Sequence, residues 1–181
     1  IFELTVSDKY NAQRYGLGYY TDASGYAECG FNTDAYLYKY LASNPKDVRS
    51  GLIKDQTAEK SAVYYPNKYP GRDGNIYLNN PKIVRLSEMY LNRAEALING
   101  ASIPGATALG DLETVAKNRN ASVQPATKSG VYAERAKELA WEGHLWFDLA
   151  RTGRAMTRKD VSGTQVPTSI EPKDYRWAMP I

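Results

Sequence analysis

The sequence predicts a mainly α-helical protein with long irregular loops and a few short strands. Three observations carry that expectation. Apolar residues recur at helical spacing in three segments after residue 80. No period persists from Tyr10 to Asn32, a stretch interrupted by Gly16, Gly18, Gly25 and Gly30. Strand-like alternation is confined to the opening, where Phe2, Leu4 and Val6 interleave with Glu3 and Thr5.

The opening alternation predicts one half-buried strand, and irregular chain follows it. A short helix is expected after Asp34, with Tyr36, Leu37, Tyr40 and Leu41 on one side and Pro45 beyond its end. Residues 68–80 carry Pro70-Gly71 and Asp73-Gly74, two turn signals that predict a hairpin-like loop. Pro81 suits a first helical turn, where its missing N–H would be unpaired anyway. A first long helix is therefore expected from Pro81, with Ile83, Leu86, Tyr90, Ala94 and Leu97 at helical spacing and Gly100 as its stop. A second helix is predicted over 106–118, with Leu109, Leu112, Val115 and Ala116 on one stripe. A third, the longest, is predicted over 131–151, with Leu139, Trp146, Phe147 and Ala150 apolar and Gly153 past its end. Helix, short loop and helix make an αα-hairpin, and a single such pair reads as one tetratricopeptide-like unit. The chain thus divides into a loop- and tyrosine-rich part, 1–80, and a helical part, 81–181, expected to form one continuous domain of a longer protein.

Composition narrows the function. At 181 residues, 43% of them apolar, the chain is long enough for a real core. A net charge of +3 gives no electrostatic case for nucleic acid. One cysteine (Cys29) excludes an internal disulfide or a Cys-rich zinc site, and one histidine (His144) excludes a His-cluster metal centre. No cofactor motif of the Gly-x-Gly-x-x-Gly or phosphate-loop type occurs, so neither a cofactor nor a metal is expected. No run reaches the roughly 18 apolar residues that would span a bilayer. Tyrosine is the anomaly, at 15 residues against 3 phenylalanines, and twelve of the fifteen lie at or before Tyr77.

Few constellations carry chemistry. Glu138 and Glu142 stand four apart on the expected third helix, a spacing that admits a glycosidase pair separated by roughly 5–9.5 Å. Arg135, Asp148 and Arg151 on the same segment make ordinary ion pairing the simpler explanation. His144 has no nucleophile or second histidine near it and reads as a hydrogen-bonded, partly buried residue. Asn120-Ala121-Ser122 matches the short glycosylation sequon. The tyrosines are more informative, because Tyr19-Tyr20, Tyr26, Tyr64-Tyr65 and Tyr69 fall in expected loops. A tyrosine presents a flat apolar face and a hydroxyl, which together suit a sugar ring.

Two long motifs add a resemblance. Arg85-Leu86-Ser87-Glu88-Met89-Tyr90-Leu91-Asn92-Arg93-Ala94-Glu95-Ala96 resembles the "R-x-x-E-M-Y-L-x-x-A-E-A" helix of the SusD/RagB family. The run from Glu134-Arg135 through Glu138-Leu139, Glu142-Gly143 and Trp146-Phe147-Asp148-Leu149 to Arg151 is similar to its "E-R-x-x-E-L-x-x-E-G-x-R-W-F-D-L-x-R" hallmark. Asp47-Val48-Arg49 is similar to a "D-x-R" element, and Trp177-Ala178-Met179-Pro180-Ile181 to the segment preceding the usual C-terminus. Leu145 stands where the family often has arginine, and Lys117-Asn118-Arg119-Asn120-Ala121 departs from the usual "R-x-R-A".

The resemblance implies a tetratricopeptide-like scaffold of the SusD type and, from its length, the C-terminal portion of such a protein. It implies a non-catalytic, nutrient-binding lipoprotein of the Bacteroidetes outer membrane, taking part in polysaccharide utilisation. It would be held on the cell-surface side by an N-terminal lipid anchor that this chain lacks, Cys29 not being that anchor. Its expected partners are an oligosaccharide or other nutrient and a SusC-type TonB-dependent transporter. The expected ligand-binding residues are Tyr19, Tyr20 and Tyr26, with Glu28 and Asn32 as hydrogen-bonding neighbours, chosen for their loop position. Glu88, Glu95, Arg135, Glu138, Glu142, Asp148 and Arg151 are expected to form structural ion pairs. Two other readings are a glycoside hydrolase using Glu138 and Glu142, and a helical-repeat adaptor that binds protein.

Overall fold

The computed structural model describes residues 2–22, 24–25, 30–31, 33, 35–55, 64–157 and 169–170. In chain order the elements are β1 (Phe2–Glu3), α1 (Leu17–Thr21), α2 (Tyr36–Ser43), β2 (Ile53–Asp55), β3 (Tyr64–Pro66) and β4 (Lys82–Val84). Four longer helices follow: α3 (Leu86–Ile98), α4 (Ala108–Lys117), α5 (Lys128–Glu138) and α6 (His144–Thr152). A last pair, β5 (Met156–Thr157) and β6 (Ser169–Ile170), closes the described chain. The mainly helical expectation holds, and the strands make three two-stranded antiparallel ribbons: β1 with β4, β2 with β3, and β5 with β6.

The opening strand is shorter and more exposed than its alternation predicts. β1 spans two residues, paired Phe2 to Val84 and Glu3 to Lys82, and Phe2 and Leu4 remain 63% and 54% exposed. Its partner displaces the expected start of the first long helix. Lys82-Ile83-Val84 carries two β-branched residues and pairs as β4, so helix α3 begins at Leu86, with Arg85 extended before it. The stop behaves as expected, with Gly100 at φ +100°. Helix α1 has no counterpart in the sequence reading, since five residues including a glycine are too short to display a period. Gly18 lets it lie against residues 69–79, where a Cβ would collide with the Ile76 carbonyl. Helix α2 falls where expected, and the turn at Asp73-Gly74 has positive φ at both central residues, the type I′ hairpin geometry.

The core lies among α3, α4 and α5. Leu91, Ala94, Leu112, Val115 and Val131 form one buried cluster, flanked by Tyr90, Ile98 and Ala108. Thr107 and Thr127 cap α4 and α5 by accepting the backbone N–H of Gly110 (3.0 Å) and Gly130 (3.1 Å). Leu109, expected on the buried stripe of α4, is instead 45% exposed. Helix α3 packs most extensively on α4 and next on α5, the stacking of a helical-hairpin scaffold.

The expected single helix over 131–151 is two helices, α5 and α6, and the break between them organises the molecule. Trp141 (φ +60°) and Gly143 (φ +83°) turn the chain left-handed. The carbonyls freed at the end of α5 are captured by side chains from far away in sequence. Lys68 donates to Glu138 O (3.2 Å) and Ala140 O (2.9 Å), Tyr69 Oη donates to Trp141 O (2.8 Å), and Arg85 donates to Glu138 O. Tyr26, Glu28, Cys29, Asn32 and the tail 177–181 lie outside the described residues. Among the described residues no helix is long and apolar enough to cross a membrane, and no three potential metal ligands cluster.

Candidate functional site

Two arrangements stand out: a buried ionic cluster beneath the α5–α6 break and a row of aromatic rings beside it. The cluster begins at Asp47, whose side chain caps a 3₁₀ turn (Val48–Leu52) through Arg49 N (2.9 Å) and grips the Arg49 guanidinium at 2.8–3.1 Å. Arg49 then reaches Glu134 (2.7 Å) and Glu138 (3.4 Å) on α5. Glu138 also receives Arg85 (2.6 Å) and Arg119 (2.6 and 2.9 Å), so three guanidiniums converge on one carboxylate. Glu142 is held by Arg85 (2.8 Å) and Lys68. Lys137, fully buried, lies 2.7 Å from Glu134 and 4.0 Å above the Tyr40 ring.

Electrostatics follow from this geometry. Burial alone would raise the Glu138 carboxyl, but hydrogen bonds from Arg119 and Arg85 and their charges reverse it, holding it at about 2 against a usual 4.5. Burial pushes the Lys68 and Lys137 ammonium groups below their usual range, against the pull of Glu142 and Glu134. Burial and the nearby Glu142 charge push the Tyr69 phenol up to about 12. A glycosidase acid must keep its proton at working pH, which requires a raised pKa. Glu138 has the opposite shift, and Glu142 is tied to Arg85 and Lys68, so this pair is built as a lock. Because the folded pKa of Glu138 lies below its unfolded value, its stabilisation is complete above about pH 4.5 and is lost as pH falls toward 2. Melting temperatures measured across that window should fall, and Glu138→Gln should flatten the fall. An equally steep acid decline in the variant would assign the effect to other carboxylates.

The other residues expected to form ion pairs do so, Glu88 excepted. Arg135 pairs with Asp148 (2.8 and 3.0 Å), and Arg151 bridges Glu95 (2.7 Å) and Asp148 (2.8 Å). His144 is partly buried as expected, but its Nδ1 stands 3.8 Å from Glu88, beyond hydrogen-bond reach. Asn120 of the sequon donates to the Lys46 carbonyl (3.1 Å).

The sequence-predicted binding tyrosines are partly in view. Tyr19 and Tyr20 lie on α1, Tyr19 half-buried with its ring 5.6 Å from that of Tyr77, and Tyr20 exposed. A second arrangement was not anticipated. Trp141, Phe31, Tyr64 and Tyr38 form a continuous row of half-buried rings with centroid spacings of 5.8, 6.4 and 4.5 Å. The Tyr38 and Tyr64 hydroxyls lie 3.3 Å apart. Paired backbone hydrogen bonds between Phe31 and Tyr64 (2.8 and 2.9 Å) fasten the 30–31 segment to β3. The structure corrects the loop expectation: Tyr19 and Tyr20 lie on a short helix and Tyr64 and Tyr65 on β3, and the row joins four separate segments that no local signal announces.

A helical-hairpin scaffold, locked by buried ion pairs and bearing aromatic-rich loops, defines the class of protein. The model of the SusD family matches residues 9–178, and the chain belongs to that family. A SusD superfamily protein from Bacteroides thetaiotaomicron is 33% identical, with a TM-score of 0.64 over 81% of this chain and 36% of its own. A SusD-like carbohydrate binding protein from Bacteroides vulgatus shares the fold at 20% identity, with a TM-score of 0.63 over 88% of this chain and 35% of its own. The chain therefore spans about a third of the length of these solved relatives. No curated protein matches it. Its architecture is accordingly the tetratricopeptide-like helical scaffold of that family.

Proposed function

We propose that this chain is part of a non-catalytic glycan-capture protein at the outer-membrane surface. The full-length protein would be lipid-anchored and would deliver an oligosaccharide or related nutrient to a SusC-type TonB-dependent transporter. Membership of the SusD family supports this reading, as does the placement of flat, hydroxyl-bearing rings on short elements, α1, α2 and β3, beside a rigid helical scaffold. The observation that carries it is the aromatic surface beside α1 and β3. Tyr19 and Tyr20 are the proposed stacking residues with Tyr26, and Glu28 and Asn32 the proposed hydrogen-bonding groups, next in sequence to the Phe31 ring row.

In the full-length protein, Tyr19→Ala and Tyr20→Ala should each weaken binding of glycan-array hits by about three- to tenfold, the effect of losing one stacked ring. Titration calorimetry reads this directly, and unchanged affinity in both variants, together with Tyr26→Ala, would move the site elsewhere. Glu142→Ala serves as the contrasting variant. It removes a partner of Lys68 and Arg85, so folded yield should drop, while the folded fraction keeps its glycan affinity. Normal yield with lost binding would overturn the structural role.

A further inference from the structure

The α3 and α6 helices face each other across a polar groove of about 500 Å³. Their contacts run in the same order along both: Glu88 opposite His144, then Asn92 joined through Arg135 to Asp148, then Glu95 against Arg151. The two helices therefore lie parallel with charged rather than apolar stripes inward, and a cavity remains where close-packed helices would leave none.

The lining has a specific chemistry. Three carboxylates, of Glu88, Glu95 and Asp148, meet two guanidiniums, of Arg135 and Arg151, and the guanidiniums are spent on Glu95, Asp148 and Asn92. Arg135 and Arg151 balance Asp148 and Glu95, so the groove keeps one net negative charge, the Glu88 carboxylate, and disfavours an anion. What remains available is hydrogen-bonding capacity. Asn92 uses only its Oδ1, leaving both amide N–H groups. Glu88, whose side chain is 14% exposed, has only the 3.8 Å approach of His144, so its oxygens keep their lone pairs. Phe147, 57% exposed, supplies one flat apolar wall. Unused donors and a free carboxylate acceptor beside an exposed ring, in a cavity of ligand size, match a pyranose with its apolar face and ring of hydroxyls.

We infer that the α3–α6 groove is a second saccharide subsite, separate from the proposed tyrosine site, taking one or two neutral pyranose units. Phe147 stacks on the sugar, and Asn92 and Glu88 bind its hydroxyls. The inference extends the glycan-capture reading but rests on different residues, so the two fail separately.

Saturation-transfer NMR on the full-length protein tests it, with maltose, cellobiose, laminaribiose and mannobiose as probes and glucuronate as the anionic control. At least one neutral disaccharide should bind saturably and more tightly than the control. Phe147→Ala should weaken it by about three- to tenfold, and Asn92→Ala and Glu88→Gln should weaken it as well, with melting temperatures checked for all three. Absence of binding by all four disaccharides, or full affinity in Phe147→Ala, overturns the subsite. So does a Phe147→Cys variant, in a Cys29→Ser background, that resists a thiol-reactive probe, since other chain then covers the groove. Disaccharide binding abolished by Tyr19→Ala with Tyr20→Ala, yet untouched by Phe147→Ala, would sink the groove and leave the loop site standing.

Discussion

Glu138→Ala should destabilise the protein by about 3–5 kcal/mol, the cost of leaving buried charges without their partner. The carboxylate is 2% exposed and accepts from Arg49, Arg85 and Arg119, which arrive from three different parts of the chain. Removing it affects more than α5. Arg49 would keep Asp47 and Glu134, and Arg85 would keep Glu142, but Arg119 would lose its only carboxylate among the described residues. The α5–α6 break is fastened by Arg85 and Lys68 around the same spot, so loosening should spread to Trp141 and the ring row. Chemical denaturation measures the loss, with Glu113→Ala on the exposed face of α4 as a control expected within about 0.5 kcal/mol of the parent. A Glu138→Ala loss no larger than the control's would mean that the cluster is ornamental.

Leu112→Ala should cost about 2–5 kcal/mol. Leu112 is fully buried in the cluster with Leu91, Ala94, Val115 and Val131, where three helices meet. Truncation removes the burial energy of the lost atoms and leaves a void that close-packed neighbours fill only partly. Leu109, three residues earlier on the same helix, is 45% exposed, and its alanine variant should cost under about 1 kcal/mol. Comparable losses at the two positions would contradict the packing of α4 on α3.

These contrasts bear on what the sequence could reveal. Helix α4 is readable because its signal is local, the helical spacing of Leu112, Val115 and Ala116. Even so, spacing could not distinguish Leu109 from Leu112, because burial depends on where α3 lies. Helix α3 starts later than Pro81 implies because that local rule competes with a distant one, the pairing of Lys82–Val84 with Phe2–Glu3. The α5–α6 break left one visible trace, Gly143. Its real causes are Lys68, Tyr69 and Arg85, which lie 53 to 72 residues away from the carbonyls they hold.

The same distinction applies to the site. Charged residues in the two long motifs pair as expected, Glu88 excepted, yet their partners are invisible in the sequence, since Arg49, Arg85 and Arg119 converge on Glu138 only in three dimensions. Tyrosine excess pointed to the loops but could not order the rings. The row from Trp141 through Phe31 and Tyr64 to Tyr38 exists because β2–β3 pairing, the 30–31 segment and the α5–α6 break meet there.

On the proposed function, an ion-locked helical scaffold presents an aromatic surface that binds glycan without cleaving it. The most direct test incubates the full-length protein with each glycan-array hit and measures affinity and newly formed reducing ends on the same samples. Saturable binding with no new ends is the predicted result; new ends that disappear in Glu138→Gln, or no binding to any glycan on the array, would contradict it.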